Sequence, residues 1–223
     1  MGASDEYKRN QLETLGTAII SDVLDVLGHR TSFLGPGISA MWPSGPIAGR
    51  AITIGCTPTE MASLPDPDRD PYGVLFSALA EHQTIAVLVI AAGDQVSGVW
   101  GELLSVAACA RGIVGLVTDG LTRDLTAIAQ LGFPVYGSGT SPADSAGRQD
   151  FAITGDPVRF GDTLVRPGDW MVGDELGVVT VPVEHVDQVI ELGLDKQRGE
   201  SVVRAELAAG ADLADVFRRH GIL

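Results

Sequence analysis

Between residues 98 and 124 the chain reads Gly-Val-Trp-Gly-Glu-Leu-Leu-Ser-Val-Ala-Ala-Cys-Ala-Arg-Gly-Ile-Val-Gly-Leu-Val-Thr-Asp-Gly-Leu-Thr-Arg-Asp. A glycine turn opens a helix, an apolar strand follows, and an Asp-Gly turn returns Arg123 next to Asp124. The first N–H groups of a helix have no partner inside it and form a natural anion site. A guanidinium offers a planar fork to a carboxylate or keto acid. A carboxylate such as Asp124 ligates a hard cation through oxygen, with water filling the remaining positions. Together these groups suit a small anionic substrate held beside a divalent metal.

Each piece also has a plainer reading. Gly101 can be only a turn and Glu102 only an acid that favours the positive end of a helix. On residue types alone that reading of residues 101–104 stands ahead of the functional one. Thr122 can be a helix cap and Asp124 a first-turn acid, which weighs evenly against ligand binding at a strand's carboxyl end.

The surrounding elements must place these residues. Ile19, Ile20, Val23, Leu24 and Leu27 recur at helical spacing, so residues 7–28 read as a helix broken near Gly16, with Thr17 as a cap and Gly28 as a stop. Residues 29–48 are punctuated by glycine and proline and read as a wrapped loop. Strands are expected at Arg50–Cys56 and Thr84–Ala91, separated by the polar, proline-rich Leu64–Pro71 and a short helix ending near His82. A helix over Val99–Arg111, a strand over Ile113–Thr118, a helix over Thr122–Leu131 and a strand near Val135 follow. Beyond Gly147, short strands are expected at 151–154, 158–160, 163–165, 169–172 and 177–181, with Arg166-Pro-Gly-Asp169 as a turn. Helices over Pro182–Leu207 and Leu213–Arg219 close the chain. Strand–helix alternation flanked by strand-rich stretches predicts an α/β fold of layered sheets. No linker-like tract divides residues 1–223, so one domain is expected.

Bulk properties narrow the partners. The 223 residues carry a net charge of −14 with no basic run, which disfavours nucleic acid and anionic membranes. A metal and an arginine can still reverse the field locally for a small anion. Cys56 and Cys109 form neither a disulfide framework nor a Cys-x-x-Cys site, and Cys109 in an alanine-rich helix reads as a buried thiol. His29, His82, His185 and His220 lie far apart, without metal-ligand spacing. Met1-Gly2 lacks a second membrane signal, no apolar run approaches the ~20 residues of a membrane span, and the expected location is cytoplasmic. Phosphate-loop, dinucleotide and nucleophile-elbow motifs are missing.

Several motifs carry a resemblance: Thr17-Ala-Ile-Ile-Ser-Asp-Val-Leu-Asp-Val-Leu-Gly28, Gly49-Arg-Ala-Ile-Thr-Ile54, Gly101-Glu-Leu-Leu104, Asp119-Gly-Leu-Thr-Arg-Asp124, and Arg166-Pro-Gly-Asp-Trp-Met-Val-Gly-Asp-Glu-Leu-Gly-Val-Val179. Over nearly its whole length the chain resembles the family that joins class II 4-hydroxy-4-methyl-2-oxoglutarate aldolases with the regulator of ribonuclease E activity, often mislabelled as demethylmenaquinone methyltransferases. The spacing from Glu102 to Arg123 is the specific part of the match. The implied fold is a layered α/β/α-type domain resembling the swivelling phosphohistidine domain, assembled as a homotrimer or a dimer of trimers.

The resemblance implies a pyruvate-releasing site that uses Mg2+ or Mn2+. Backbone amides over Gly101, Glu102, Leu103 and Leu104 would hold the pyruvyl carboxylate. Arg123 would bind the keto oxygen and stabilise the enolate, Asp124 would anchor the metal, and Glu102 would position water for proton transfer. Glu102 is one methylene longer than the aspartate usual there. Glu200 is the candidate for a glutamate that reaches the metal, through water, from a neighbouring subunit, and it favours an enzyme over a regulator. Residues 61–82 and Gln83-Thr-Ile-Ala86 depart from the family pattern. The expected reaction is retro-aldol cleavage of a 4-hydroxy-2-oxo diacid, with oxaloacetate decarboxylation as a related activity. The rivals are a non-catalytic regulator binding a protein such as a ribonuclease, and a lyase or decarboxylase acting on another keto acid.

Overall fold

β-Branched and aliphatic residues crowd the centre of the chain, and they form strands buried on both faces. In the computed structural model, which describes residues 3–59, 72–81, 85–93 and 96–222, β1 (Ser39–Ala40), β2 (Ile47–Pro58) and β3 (Ala86–Ala91) are the first strands. They are flanked by α1 (Asp5–Val26) and α2 (Gly73–Glu81). Next come β4 (Gly98–Trp100), α3 (Glu102–Cys109), β5 (Ile113–Thr118), β6 (Leu121–Thr122), α4 (Leu125–Leu131), β7 (Val135–Gly137) and β8 (Gly139–Thr140). The remainder is β9 (Gln149–Thr154), β10 (Val158–Phe160), β11 (Thr163–Val165), β12 (Trp170–Asp174), β13 (Gly177–Val181), α5 (Val186–Ala208) and α6 (Leu213–His220). The expected Leu64–Pro71 connection, His82 and Gln83-Thr84 lie outside the described residues.

The main sheet runs β1-β7-β5-β3-β2-β12-β13, with β9 also on β2. The pairs β2–β3, β3–β5 and β5–β7 are parallel, and β12 runs antiparallel to β2 and β13. One segment joins the two ends of this order. Leu34 N–H donates to Val178 O at 3.0 Å and Thr180 N–H to Ser32 O at 2.9 Å, while Ser39 and Ala40 pair with Gly137 and Tyr136. The sheet therefore curls into a nearly closed barrel. What reads in sequence as a wrapped loop supplies the closing strand β1.

Side-chain alternation explains the layers. Val87 and Val89 of β3, with Val117, Tyr136, Met171 and Phe160, fill the concave interior. Leu88 and Ile90 face outward under α2, α3 and α4, with Trp100, Leu116 and Ile128 in the same cluster. A separate outer cluster joins α1 and α5 to Trp170, Val172 and Val181. The expected α/β class with helical layers stands, and its middle layer is the curled sheet.

The break in α1 falls at Gly16, whose φ of 74° interrupts the helix. Asp174 caps the restart: Thr17 N–H and Oγ1 each donate to its carboxylate at 2.7 Å. This buried contact ties the first helix to the far end of β12 and satisfies a helix-start donor that would otherwise be left without a partner. Cys109 is exposed rather than buried, because α3 turns Ser105 and Ala108 inward and the next residue faces out. Among the described residues no helix is long and apolar enough to cross a membrane.

Candidate active site

The loops after β3 and β5 leave the carboxyl ends of parallel strands, where open α/β sheets gather ligands. A small second sheet ties them together. Its parallel strands β4, β6 and β8 align Gly98 with Leu121, Trp100 with Thr122, and Thr122 with Thr140. This changes two expected boundaries. Val99 and Trp100 are strand, so the helix expected from Val99 starts at Glu102, and β6 delays α4 to Leu125. Thr122 is not a helix cap. It is buried in β6, its hydroxyl without a hydrogen-bond partner among the described residues.

Buried chemistry holds the start of α3. Trp100 packs on Phe133 with ring centroids 6.0 Å apart and donates its indole N–H to Ser105 Oγ at 2.7 Å. The Ser105 hydroxyl donates in turn to Gly101 O at 3.0 Å. Arg123 N–H donates to Trp100 O at 2.7 Å, so the strand before α3 and the Arg-Asp turn are fixed to each other.

Asp124 is the one non-glycine among the described residues with positive φ, at 54°. That left-handed conformation is costly for most side chains and tolerated best by Asp and Asn. It turns the carboxylate away from its own helix α4, which receives no side-chain cap, and towards α3. Oδ2 accepts the Glu102 N–H at 3.3 Å, and Oδ1 has no protein partner among the described residues. The Glu102 carboxylate likewise makes no ion pair there. The amides of Leu103 and Leu104, in the first turn, have no carbonyl four residues back inside the helix.

These groups line one cavity of about 460 Å³. Gly101, Glu102, Leu103, Leu104, Arg123 and Asp124 all border it, so the structure brings together the site residues expected from residues 101–124. Phe76, Leu79 and Ala107 add apolar lining to the same cavity. Glu200 is not in this cavity. It lies on α5, 3.4 Å from Lys196, and borders a separate groove with Val203, Arg204, Leu207 and Ile222.

Two cavity residues escape any reading of motif spacing. Arg123 Nη1 lies 2.7 Å from Asp144 Oδ2, and Tyr72 donates its hydroxyl to Asp144 Oδ1 at 2.9 Å. The Asp144 carboxyl is held below the usual carboxylate range, first by the Ala146 amide and further by Tyr72 and Arg123. Burial pushes the Tyr72 phenol up, so it stays a neutral donor at physiological pH. No sequence signal marks either residue: Asp144 lies in a turn-rich stretch and Tyr72 at the start of an apolar helix. The histidine pair was also hidden, since His29 and His185 rings meet at 4.7 Å through packing of α1 against the start of α5.

The fit to a divalent cation rests on the donors. Gly101 lets Asp124 come close, because a Cβ there would sit 2.8 Å from Asp124 Oδ2. Oxygen donors of this kind suit Mg2+ or Mn2+. Among the described residues no cluster of three or more His, Cys, Asp or Glu is placed to hold a metal. A cation here would be anchored chiefly by Asp124 and would keep most of its water, as Mg2+ commonly does. Gly101→Ala tests this packing. Its φ of −154° is open to any residue, so the variant should fold, while the new methyl, 2.8 Å from Asp124 Oδ2, should displace that carboxylate. If Asp124 anchors a cation, a calorimetric titration should show weaker Mn2+ binding in this variant, and any metal-dependent activity should fall about 10²-fold, the cost of misplacing a reacting group by an ångström.

The Aldolase/RraA model of RraA-like proteins matches residues 17–180, well over half the chain. The chain belongs to the RraA-like family. It is 30% identical over 187 residues to the "Putative 4-hydroxy-4-methyl-2-oxoglutarate aldolase" of Halalkalibacterium halodurans, covering 84% of this chain and 82% of that protein. The structure of an uncharacterized protein from Pseudomonas syringae pv. tomato superposes with a TM-score of 0.85 at 25% identity, covering 98% of this chain and 96% of the other. Streptomyces coelicolor RraAS2, described as an unusual member of the RNase ES inhibitor RraA protein family, superposes with a TM-score of 0.78 at 28% identity, over 92% of this chain and 98% of its own. The family thus holds both aldolase-named and regulator-named members.

Proposed function

We propose that this protein is a divalent-metal-dependent carbon–carbon lyase that releases pyruvate from a 4-hydroxy-2-oxo diacid of the 4-hydroxy-4-methyl-2-oxoglutarate type. One observation carries the reading: Arg123 and the carboxylates of Asp124 and Glu102, which make no ion pair among the described residues, border the same cavity as the first-turn amides of α3.

In this reading the amides of Leu103 and Leu104 bind the C1 carboxylate at the positive end of α3. Arg123 donates to the C2 oxygen. Water held by Glu102 relays the proton of the C4 hydroxyl to the Glu102 carboxylate as the C3–C4 bond breaks. The C4 oxygen becomes the carbonyl of the leaving keto acid, and the bonding pair passes into the C2–C3 enolate. The same proton, returned from Glu102 through water to C3, completes pyruvate. Asp124 would hold Mg2+ or Mn2+, which would supply Lewis-acid charge favouring the oxyanion at C2. The Arg123 guanidinium favours the same charge, which is greater in the transition state than in the substrate. Oxaloacetate would lose CO2 through the same enolate.

The test is pyruvate release from a panel of 4-hydroxy-2-oxo acids and oxaloacetate, with and without Mg2+ or Mn2+. Release that chelator abolishes and added metal restores supports the lyase. No release from any member in saturating metal would leave the rival, a regulator that binds a protein partner, as the better account.

The assembly proposed with this reading is a homotrimer or dimer of trimers in which Glu200 serves the neighbouring site through water. Glu200 lies outside its own chain's cavity, which is what such an arrangement requires. Glu200→Ala mixed with Arg123→Ala, after subunit exchange, should regain activity that neither variant has alone, because some interfaces then hold both native residues. Verified mixed oligomers without recovery would remove Glu200 from the site.

A further inference from the structure

Three carboxylates, Glu102, Asp124 and Asp144, border the cavity with a single arginine among its described lining residues. Arg123 is long and flexible, and it adjoins Asp124 in sequence. Left to itself, its guanidinium would share its time among all three acids. It is instead on Asp144, with Nη1 to Oδ2 at 2.7 Å, while its Nε and Nη2 have no protein partner among the described residues.

We propose that Asp144, anchored by Tyr72, is a positioning residue that aims Arg123 across the cavity and keeps its guanidinium off the carboxylates of Asp124 and Glu102. Arg123's task in the reaction rests on the lyase reading above, whereas its placement by Asp144 does not.

The anchor is built from several directions. Asp144 Oδ1 accepts the Tyr72 hydroxyl at 2.9 Å and the Ala146 N–H at 3.0 Å. Its own carbonyl accepts from Arg148 Nη1 at 2.8 Å, and Gly98 N–H donates to the preceding Ala143 O at 2.8 Å. The carboxylate is thus fixed before Arg123 reaches it. Gly98 also clears the path: a Cβ there would lie 2.4 Å from Arg123 Cγ, so the stem of the arginine crosses bare backbone. Pairing through one nitrogen leaves the other edge of the fork for a keto acid. The two side chains are 36% and 51% exposed, and an ion pair so open to water adds little to stability. Its worth lies in direction.

Asp144→Asn separates direction from folding, since the amide oxygen still accepts from Tyr72 and Ala146 while the charge is gone. In metal-free protein, side-chain 15N relaxation of Arg123 Nε should show an ordered guanidinium in the native chain and a disordered one in the variant, at unchanged Tm. Asp144→Glu should restore part of the order, and Tyr72→Phe should lose part of it. Mn2+ titration gives a second readout. The released guanidinium competes for Asp124 and Glu102, so Asp144→Asn should weaken Mn2+ binding roughly 3- to 10-fold, a coupling of the size seen between neighbouring charges. In an Arg123→Gln background the same change should have no effect.

An Arg123 equally ordered in both proteins overturns the proposal, whether or not metal or substrate binds. So does an undiminished loss of Mn2+ affinity in the Arg123→Gln background, which would mean that Asp144 acts on the cation directly. If the native protein releases no pyruvate while the relaxation result stands, the lyase reading falls and the positioning role remains.

Discussion

Asp124→Asn should abolish metal-dependent pyruvate release while leaving the fold intact. Asparagine tolerates the left-handed backbone at 54° and still offers an oxygen to the Glu102 N–H, so only the negative charge is lost. Asp124→Ala is the less clean variant. It removes the charge, the cap on α3 and the side chain suited to this φ, and should cost about 1–2 kcal/mol of stability for the backbone strain alone. The charge stabilisation that a bound metal supplies is several kcal/mol, so turnover should fall on the order of 10³-fold or more in both. Calorimetric titration with Mn2+ alongside thermal unfolding separates the two effects. Asp124→Asn that binds Mn2+ as tightly as the native protein would show that Asp124 is only a helix cap reaching across from the neighbouring loop.

Arg123→Lys should cost about 10²- to 10³-fold in kcat, the usual loss when a donor to a developing oxyanion is removed. Lysine keeps the charge but loses the planar fork, so it cannot hold Asp144 with one nitrogen and a keto acid with the others. The native pair is half exposed, and Tm should move little. Steady-state kinetics with a substrate that supports pyruvate release, read as separate kcat and KM, check this. A larger drop in kcat than rise in KM marks an interaction made mainly in the transition state. If the variant instead aggregates or unfolds, Arg123 belongs to the framework rather than the chemistry.

Much of the fold was legible because it is written in local pattern. The spacing of apolar residues placed β5 at Ile113–Thr118, β10 at Val158–Phe160, β11 at Thr163–Val165 and β13 at Gly177–Val181, and Gly16 marked the break in α1. Burial follows from period: successive strand residues face opposite sides, and helical ones return every three or four. Errors gathered where long-range pairing overrides propensity. Val99 and Trp100 read as helix from their neighbours, yet β6 recruits them into a strand. The closing strand β1 carries no pattern of its own, since two residues among glycines and prolines gain strand form only from β7.

The candidate site divides along the same line. The sequence by itself placed a helix start, a guanidinium and a carboxylate within one helix–strand unit, with Gly101 and Arg123-Asp124 at its ends. Residue types and local spacing suffice for that, because each group's chemistry belongs to the side chain or to the helix terminus. Only the tertiary structure decided which plain reading gave way. Asp124 proves to be neither a first-turn acid nor a cap of its own helix, but a left-handed residue whose carboxylate crosses to α3. Asp144 and Tyr72 enter the cavity from distant parts of the chain, and the partner that an arginine takes among several carboxylates depends on distance and backbone clearance. Those are properties of the packed loops, set by the β4-β6-β8 sheet, and they leave no period or motif in the sequence.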